Sequence, residues 1–233
     1  MMSFYLYLLI KEIKKLYTIM LNIQKYVCNP FQENTYIVSD ETGECVIIDC
    51  GAYYDQERLE VAEYIMTNGL TPVKLICTHG HFDHCMGNDF AYEQYGLKAE
   101  VSGKDEFLMS ALSQQSMAFL GIEYEREVPP VGKYLTKDDV ITFGSHEFTI
   151  LETPGHTPGS VTFYCEQEKV AFTGDTLFQM SIGRTDFEGG SFTDMRNSLM
   201  NVIAKLPADT VIYSGHGGKT TIGNELAMNP YLK

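Results

Sequence analysis

Three histidines and a carboxylate lie within six residues of the chain, in the segment His79-Gly80-His81-Phe82-Asp83-His84. Chance supplies this spacing in a chain of this composition with a probability of roughly two in ten thousand. At an extended strand end His79 and His81 project to the same side, and the turn that follows can bring Asp83 and His84 to a neighbouring position. One segment can therefore serve two adjacent metal ions. Imidazole nitrogens and carboxylate oxygens suit Zn²⁺, and Mn²⁺ or Fe²⁺ are also acceptable.

Three further candidate ligands, His156, Asp175 and His216, lie in turns that directly follow predicted strands. Taken singly, each can be a turn residue that caps its own backbone. Together with the first segment they give seven ligands, the number that two metal ions need. The remaining histidine, His146, is predicted to be an ordinary surface residue in a hairpin.

The elements that must position these side chains are strands and helices in alternation. Strands are predicted over residues 21–28, 35–39, 45–49, 73–77, 140–143, 147–151, 161–165, 170–172 and 210–213. Helices are predicted over residues 56–68, 89–95, 104–120 and 192–206, and a loop over 121–139. Two similar halves of this kind predict two sheets with helices outside them, the α/β class.

Composition restricts the function further. The 233 residues are 44% hydrophobic and 21% charged, which fits one domain. That domain is expected over residues 20–233, after an N-terminal extension at residues 1–19. The start of this extension is open to doubt, and Met20 is the alternative start of the protein. A net charge of −14 disfavours binding to nucleic acid. The longest apolar run is too short for a membrane helix, and its lysines follow it rather than precede it, which disfavours an export signal.

Cysteine usage predicts a reducing, cytoplasmic location. The six cysteines form no C-x-x-C pair, and several lie in apolar strands where a free thiol packs as a small hydrophobe. Cys50 and Cys85 adjoin Asp49 and His84, so a thiolate ligand is conceivable, but packing in the core is the favoured interpretation. No oligomeric state is predicted.

The motifs resemble those of the metallo-β-lactamase superfamily, and within it the small hydroxyacylglutathione hydrolases, which are glyoxalase II-like. The resemblance runs from about Met20 to the C-terminus, and its other motifs are Gly155-His156-Thr157-Pro158-Gly159, Gly174-Asp175-Thr176-Leu177-Phe178 and Gly215-His216-Gly217. It implies a four-layer αβ/βα sandwich. It also implies two divalent metal ions, one held by His79, His81 and His156, the other by Asp83, His84 and His216, with Asp175 bridging them.

The implied activity is hydrolysis of a small-molecule thioester of the S-lactoylglutathione type by a metal-bound hydroxide, which Asp83 can orient. Asp49 is implied to brace the metal-binding loop. Larger enzymes of this kind hold glutathione on a C-terminal helical domain, which is not expected here because 17 residues follow His216. Arg184 matches a basic residue that contacts glutathione, whereas Phe187 replaces a substrate-binding tyrosine. On spacing alone Arg184 is equally a surface loop cation.

An alternative within the same fold is persulfide dioxygenase, which the segment 183–187 also resembles. That enzyme uses one iron on two histidines and a carboxylate, here His79, His156 and Asp175. A complete second ligand set and the Gly215-His216-Gly217 ending favour the hydrolase.

Overall fold

Two six-stranded sheets form the framework of the computed structural model, which describes residues 20–233. The extension expected at residues 1–19 lies outside the described residues. The first sheet runs in the order β1 to β6, with strands Asn22–Cys28, Glu33–Ser39, Glu44–Ile48, Thr71–Ile76, Ala99–Ser102 and Lys133–Leu135. The second has the order β14-β13-β10-β9-β8-β7, with β7 Val140–Phe143, β8 His146–Glu152, β9 Val161–Cys165, β10 Val170–Gly174, β13 Val211–Ser214 and β14 Thr220–Thr221. A two-stranded ribbon, β11 Leu177–Phe178 with β12 Ser181–Ile182, follows β10.

Six α-helices accompany these sheets in the described part of the chain: α1 Asp55–Thr67, α2 Asn88–Tyr95, α3 Glu106–Met109, α4 Leu112–Leu120, α5 Phe192–Asn201 and α6 Ile222–Met228. None of the helices between residues 20 and 233 has the length and apolar character needed to cross a bilayer.

The two sheets face each other across a common apolar core. In β3, Val46 and Ile48 pack against the second sheet while Ile47 packs on the other side, towards α1, because successive side chains of a strand point to opposite faces. In the second sheet Phe163 faces the first sheet and its neighbour Tyr164 packs in the layer of α5. The layers are therefore helix, sheet, sheet and helix, and the predicted four-layer αβ/βα sandwich is confirmed.

Parallel strand pairs bring several loops to the same edge of this sandwich. Strands β3, β4 and β5 are parallel neighbours, and β10 is parallel to β13. Parallel strands need crossover connections, so the loops that leave their carboxyl ends lie side by side. This edge receives the loops after β3, β4, β10 and β13.

The chain departs from the sequence prediction between residues 104 and 139 and again in the helix predicted over 192–206. The predicted helix 104–120 is broken into α3 and α4, and the Leu108 carbonyl near the break accepts a hydrogen bond from the Gln115 side chain at 2.8 Å. The predicted loop 121–139 contains strand β6, which pairs with β5 but is too short to show an alternating pattern. The predicted helix 192–206 ends at Asn201, before a 3-10 turn at Ile203–Lys205.

The prediction that His146 is an ordinary surface residue is wrong. Its side chain is buried, with Nδ1 3.0 Å from Asp40 Oδ2 and Nε2 3.6 Å from Glu168 Oε1. The hairpin between β7 and β8 folds over the end of β2, where Asp40 lies, and this long-range contact leaves no signal in the local sequence. The His146 ring also stacks on Phe143.

A buried ion pair fixes the helices next to the histidine-rich loop. Arg58 of α1 makes two hydrogen bonds to Asp89 of α2, at 2.8 and 2.9 Å, and donates to the carbonyls of Ala52 and Met86. Both side chains are almost fully buried. Replacing one partner of such a pair leaves an uncompensated charge in the interior.

We therefore expect Asp89→Ala to lower the free energy of unfolding by about 3–5 kcal/mol, measured by urea denaturation. The control is Asp209→Ala, which removes one partner of the exposed Lys169–Asp209 pair and should leave the midpoint nearly unchanged. Equal midpoints for the two variants would contradict the assignment of Arg58 and Asp89 as a stability determinant.

Candidate metal centre

All seven candidate ligands lie at one edge of the sandwich, on loops that follow strands. His79 and His81 follow β4, and a 3-10 turn, Phe82–His84, presents the next two ligands. The other three come from the loops after β8, β10 and β13, in the second sheet: His156, Asp175 and His216. Rigid strands thus hold the loop residues in place.

The first group consists of His79, His81 and His156, whose candidate ligand atoms lie within 4.8 Å of one another. His81 Nδ1 is 2.8 Å from His156 Nε2. His156 Nδ1 lies 2.7 Å from the Arg184 carbonyl oxygen, which can only accept, so Nδ1 carries the proton and Nε2 presents its lone pair to the group.

The second group consists of Asp83, His84 and His216, again within 4.8 Å of one another. Asp83 Oδ2 is 3.7 Å from His84 Nε2 and 3.4 Å from His216 Nε2. The His216 Nδ1 atom faces the Gln32 carbonyl at 3.2 Å, which leaves Nε2 as the ligand atom.

Asp175 lies between the two groups. Its Oδ1 is 3.4 Å from His84 Nε2, and its Oδ2 is 3.4 Å from His156 Nε2. The carboxylate therefore faces both groups, and the structure brings together all seven residues identified from the sequence.

Unpaired buried atoms show that this cluster fits metal ions. Among the described residues, His79 Nε2, His84 Nε2 and Asp175 Oδ1 are buried without a hydrogen-bond partner. Such an atom costs about 1–3 kcal/mol when nothing satisfies it. Separations of 3.4–3.7 Å between nitrogen and oxygen are long for hydrogen bonds but suit atoms that share one ion. The cluster and its donor chemistry together imply divalent metal ions.

The two groups differ in their electrostatics. Burial and the neighbouring imidazole of His156 lower the pKa of His81 to about 3, and burial likewise lowers the pKa of His79, so these two candidate ligands of the first group are neutral. Burial alone would also lower the pKa of His84, but the carboxylates of Asp83, Asp175 and Asp49 raise it well above the ordinary value. The second group is therefore the one in which anionic oxygens concentrate and a cation is most stabilised.

Asp49 hydrogen-bonds to the loop that carries the first candidate ligands. Its Oδ1 accepts from the Thr78 backbone N–H, and its Oδ2 accepts from the Thr78 hydroxyl, both at 2.7 Å. Oδ2 also lies 2.9 Å from His84 Nδ1. A positive φ of 50° at Asp49 is uncommon for a residue with a side chain, and such conformations cluster at functional sites.

Two buried carboxylates of this region were not identified from the sequence. Asp105 accepts hydrogen bonds from the Gly80 N–H, the Gly159 N–H and the Thr157 hydroxyl, at 2.7–2.9 Å, and so joins the loops that carry the first group. Glu33 is fully buried, with Oε1 4.0 Å from His84 Nδ1 and unpaired. Asp105 lies inside the predicted helix 104–120, where nothing distinguishes it from a surface residue.

The cysteines beside the site pack as hydrophobes. Cys50 donates weakly to the Gly87 carbonyl at 3.3 Å, and Cys85 lies 4.0 Å from Cys77. Burial raises the pKa of the Cys50 thiol, and the Cys77 contact with burial raises that of Cys85. Burial therefore disfavours the thiolate form of both cysteines.

A cavity of about 440 Å³ opens beside the ligands and has phenylalanine walls formed by Phe31, Phe82, Phe119, Phe178 and Phe187. Arg184 also lines it. The Arg184 guanidinium is paired with Asp186 through bonds of 2.7 and 2.6 Å and lies 4.0 Å above the ring of Phe187.

This combination of fold and site defines a class of metal-dependent hydrolases. The chain belongs to the metallo-β-lactamase superfamily, whose family model matches residues 28–216. It is 35% identical over 213 residues to hydroxyacylglutathione hydrolase GloC of Haemophilus influenzae, an alignment that covers 91% of this chain and 98% of the relative.

Two solved structures support the same assignment. The BLEG-1 B3 metallo-beta-lactamase is 34% identical to this chain with a TM-score of 0.83. The alignment covers 91% of this chain and 100% of the BLEG-1 chain. The structure of TTHA1623 in a di-iron-bound form is 33% identical with a TM-score of 0.78, covering 90% and 100%. A related chain thus holds two metal ions.

Asp105 generates a prediction about metal affinity. Asp105→Ala removes the acceptor that joins the two loops, so we expect metal to bind about 10- to 100-fold more weakly, measured by competition with a chromophoric chelator. Asp138→Ala, at an exposed aspartate, is the control and should bind metal normally. Unchanged affinity in a folded Asp105→Ala protein would contradict this role.

Proposed function

We propose that the protein is a hydrolase of small-molecule thioesters of the S-lactoylglutathione type, working with two divalent metal ions. The observation that carries the proposal is the pair of adjacent three-residue groups, linked by Asp175, beside a cavity of substrate size. The 35% identity to GloC, a hydroxyacylglutathione hydrolase, supports it. Zn²⁺ is the proposed metal, with Fe²⁺ or Mn²⁺ as alternatives.

Hydrolysis of a thioester consumes one water. Oxygen adds to the carbonyl carbon, the carbon–sulfur bond breaks with its electron pair on sulfur, and the products are a carboxylic acid and a thiol. Divalent ions held by the candidate ligands would make a hydroxide available near neutral pH and would polarise the carbonyl. The thiolate leaves readily because the pKa of its thiol is about 8.5.

The chain's own residues orient and enclose these atoms. His79, His81 and His156 would hold one ion, Asp83, His84 and His216 the other, with Asp175 between them. The Asp83 carboxylate, at the cavity wall, is the group that accepts a hydrogen bond from the attacking water and aims it. The phenylalanine walls keep other water away from the reacting carbonyl.

Substrate recognition is proposed for Arg184. An anionic thiol such as glutathione needs a local cation on a protein with a net charge of −14, and a guanidinium binds a carboxylate through two parallel hydrogen bonds. Asp186 now occupies that guanidinium. Asp186 is therefore expected to compete with the substrate's carboxylate.

The alternative is a persulfide dioxygenase with one iron on His79, His156 and Asp175. The second group argues against it, because Asp83 and His216 face the same point as His84 and would have no use in a one-iron site. Oxygen uptake with a persulfide, measured beside thioester hydrolysis on the same preparation, distinguishes the two. We also propose a cytoplasmic location, since the six cysteines, all in the described part of the chain, are buried and free.

Metal content tests the two-ion proposal. We expect two ions per chain in the unmodified protein by elemental analysis and fewer in Asp83→Ala and His216→Ala. Asp175→Ala should lose more metal than either, because it removes a ligand from both groups. One iron per chain, with hydrolysis unchanged in Asp83→Ala and His216→Ala, would overturn the proposal.

Kinetics of the 184–187 loop test substrate recognition. Arg184→Ala should raise KM for S-lactoylglutathione several-fold without changing metal content. Asp186→Ala, which frees the guanidinium, should lower it. The KM for neutral thioesters should be unchanged in both variants. An equal loss of turnover on charged and neutral thioesters would make Arg184 a structural part of the loop.

A further inference from the structure

A second cavity, of about 290 Å³, continues from the first. The two share His81, Phe119 and Phe187, so the second begins at a candidate metal ligand. We call it the side groove; it lies along α3 and α4, and its remaining walls include Phe107, Leu108, Ala111 and Ala118. The groove is thus an extension of the reaction cavity.

Phenylalanine rings form the passage between the two cavities. The rings of Phe119 and Phe187 pack edge to face, with 5.4 Å between their centroids. The Phe187 ring also packs against the His81 ring, again with 5.4 Å between centroids. Phe119 stacks on Phe82 at 5.5 Å, yet 47% of its surface is exposed. Aromatic surface left in water beside a reaction site gains free energy when an apolar ligand covers it.

The groove wall is mostly apolar, and its polar residues are Gln114, Gln115 and Glu188 beside His81. Gln115 is already engaged, because its Oε1 accepts from the Phe82 N–H and its Nε2 donates to the Leu108 carbonyl. Glu188, which is exposed, places a negative charge at the groove, while Arg184 lines the other cavity. Carboxylate or phosphate groups in the groove would face the negative charge of Glu188, and the exposed Gln114 is the one further amide of the lining that could replace lost hydration.

We infer that the side groove binds the acyl arm of the thioester and that this arm is a linear apolar chain. The inference rests on the proposed function. Of the two arms of such a substrate, the thiol carrier is polar and anionic, so it suits the side of Arg184, whereas an acyl chain can be wholly apolar. Preferred substrates are therefore thioesters with acyl groups longer and more apolar than lactoyl.

Binding of inert thioethers tests the groove without turnover. The probes are S-methyl-, S-butyl- and S-hexylglutathione, titrated by calorimetry into the metal-loaded protein. We expect the affinity to rise about three- to fourfold per added methylene. Ala118→Phe fills the groove from an exposed helix position and should abolish this rise; Ala227→Phe, the same change on exposed α6, should preserve it.

Hydrolysis of an acyl series separates this inference from the proposed function. Rates are compared for lactoyl-, acetyl-, butanoyl- and hexanoylglutathione, with kcat/KM expected to rise along the apolar series. Affinity independent of chain length, or a rise that survives in folded Ala118→Phe, overturns the groove assignment even if every thioester is hydrolysed. If no thioester is hydrolysed but the length-dependent binding is blocked by Ala118→Phe, the proposed function fails and the groove assignment stands.

Discussion

The structure depends on one constraint: lone pairs and carboxylates that water would otherwise solvate are concentrated at a single sandwich edge. His79, His84 and Asp175 each keep a buried atom without a partner among the described residues. Such an arrangement is unfavourable unless a cation satisfies several of these atoms at once. The cost of assembling the site therefore has to be offset by metal binding and by a rigid scaffold that prevents the side chains from separating.

The scaffold acts through hydrogen bonds that cross from one sheet to the other. Strand β2 holds the loop that carries His216: the Asn34 N–H donates to the Gly215 carbonyl at 2.7 Å, and the Tyr36 hydroxyl donates to the Ser214 carbonyl at 2.7 Å. Asp105 connects the loop after β4 with the loop after β8 in the same manner. Each group of candidate ligands contains residues from both sheets, so sliding of one sheet against the other would separate its members.

Local patterns account for what the sequence could predict. The segment 79–84 could be identified from the sequence because all four of its candidate ligands follow one strand. Turn residues around His156, Asp175 and His216 identify each of these three separately. Their convergence depends on sheet order, which no local pattern contains. The roles of Asp105 and Asp40 could not be predicted for the same reason. Each forms hydrogen bonds with residues far away in the chain, and the local sequence around an aspartate does not indicate such a partner.

Two glycines show why the motifs extend beyond the ligands. A side-chain carbon at Gly215 would overlap the Asp175 carboxylate and the His84 ring, and one at Gly183 would overlap the Asp175 backbone carbonyl. Asp175 thus reaches both ligand groups because the loops on either side of it approach without side chains. The residue next to Gly183 is Arg184, whose carbonyl orients His156 while its guanidinium lines the cavity. Because of this, the same short loop sets the position of the Asp175 carboxylate, the tautomer of the candidate ligand His156 and the charge at the wall of the cavity.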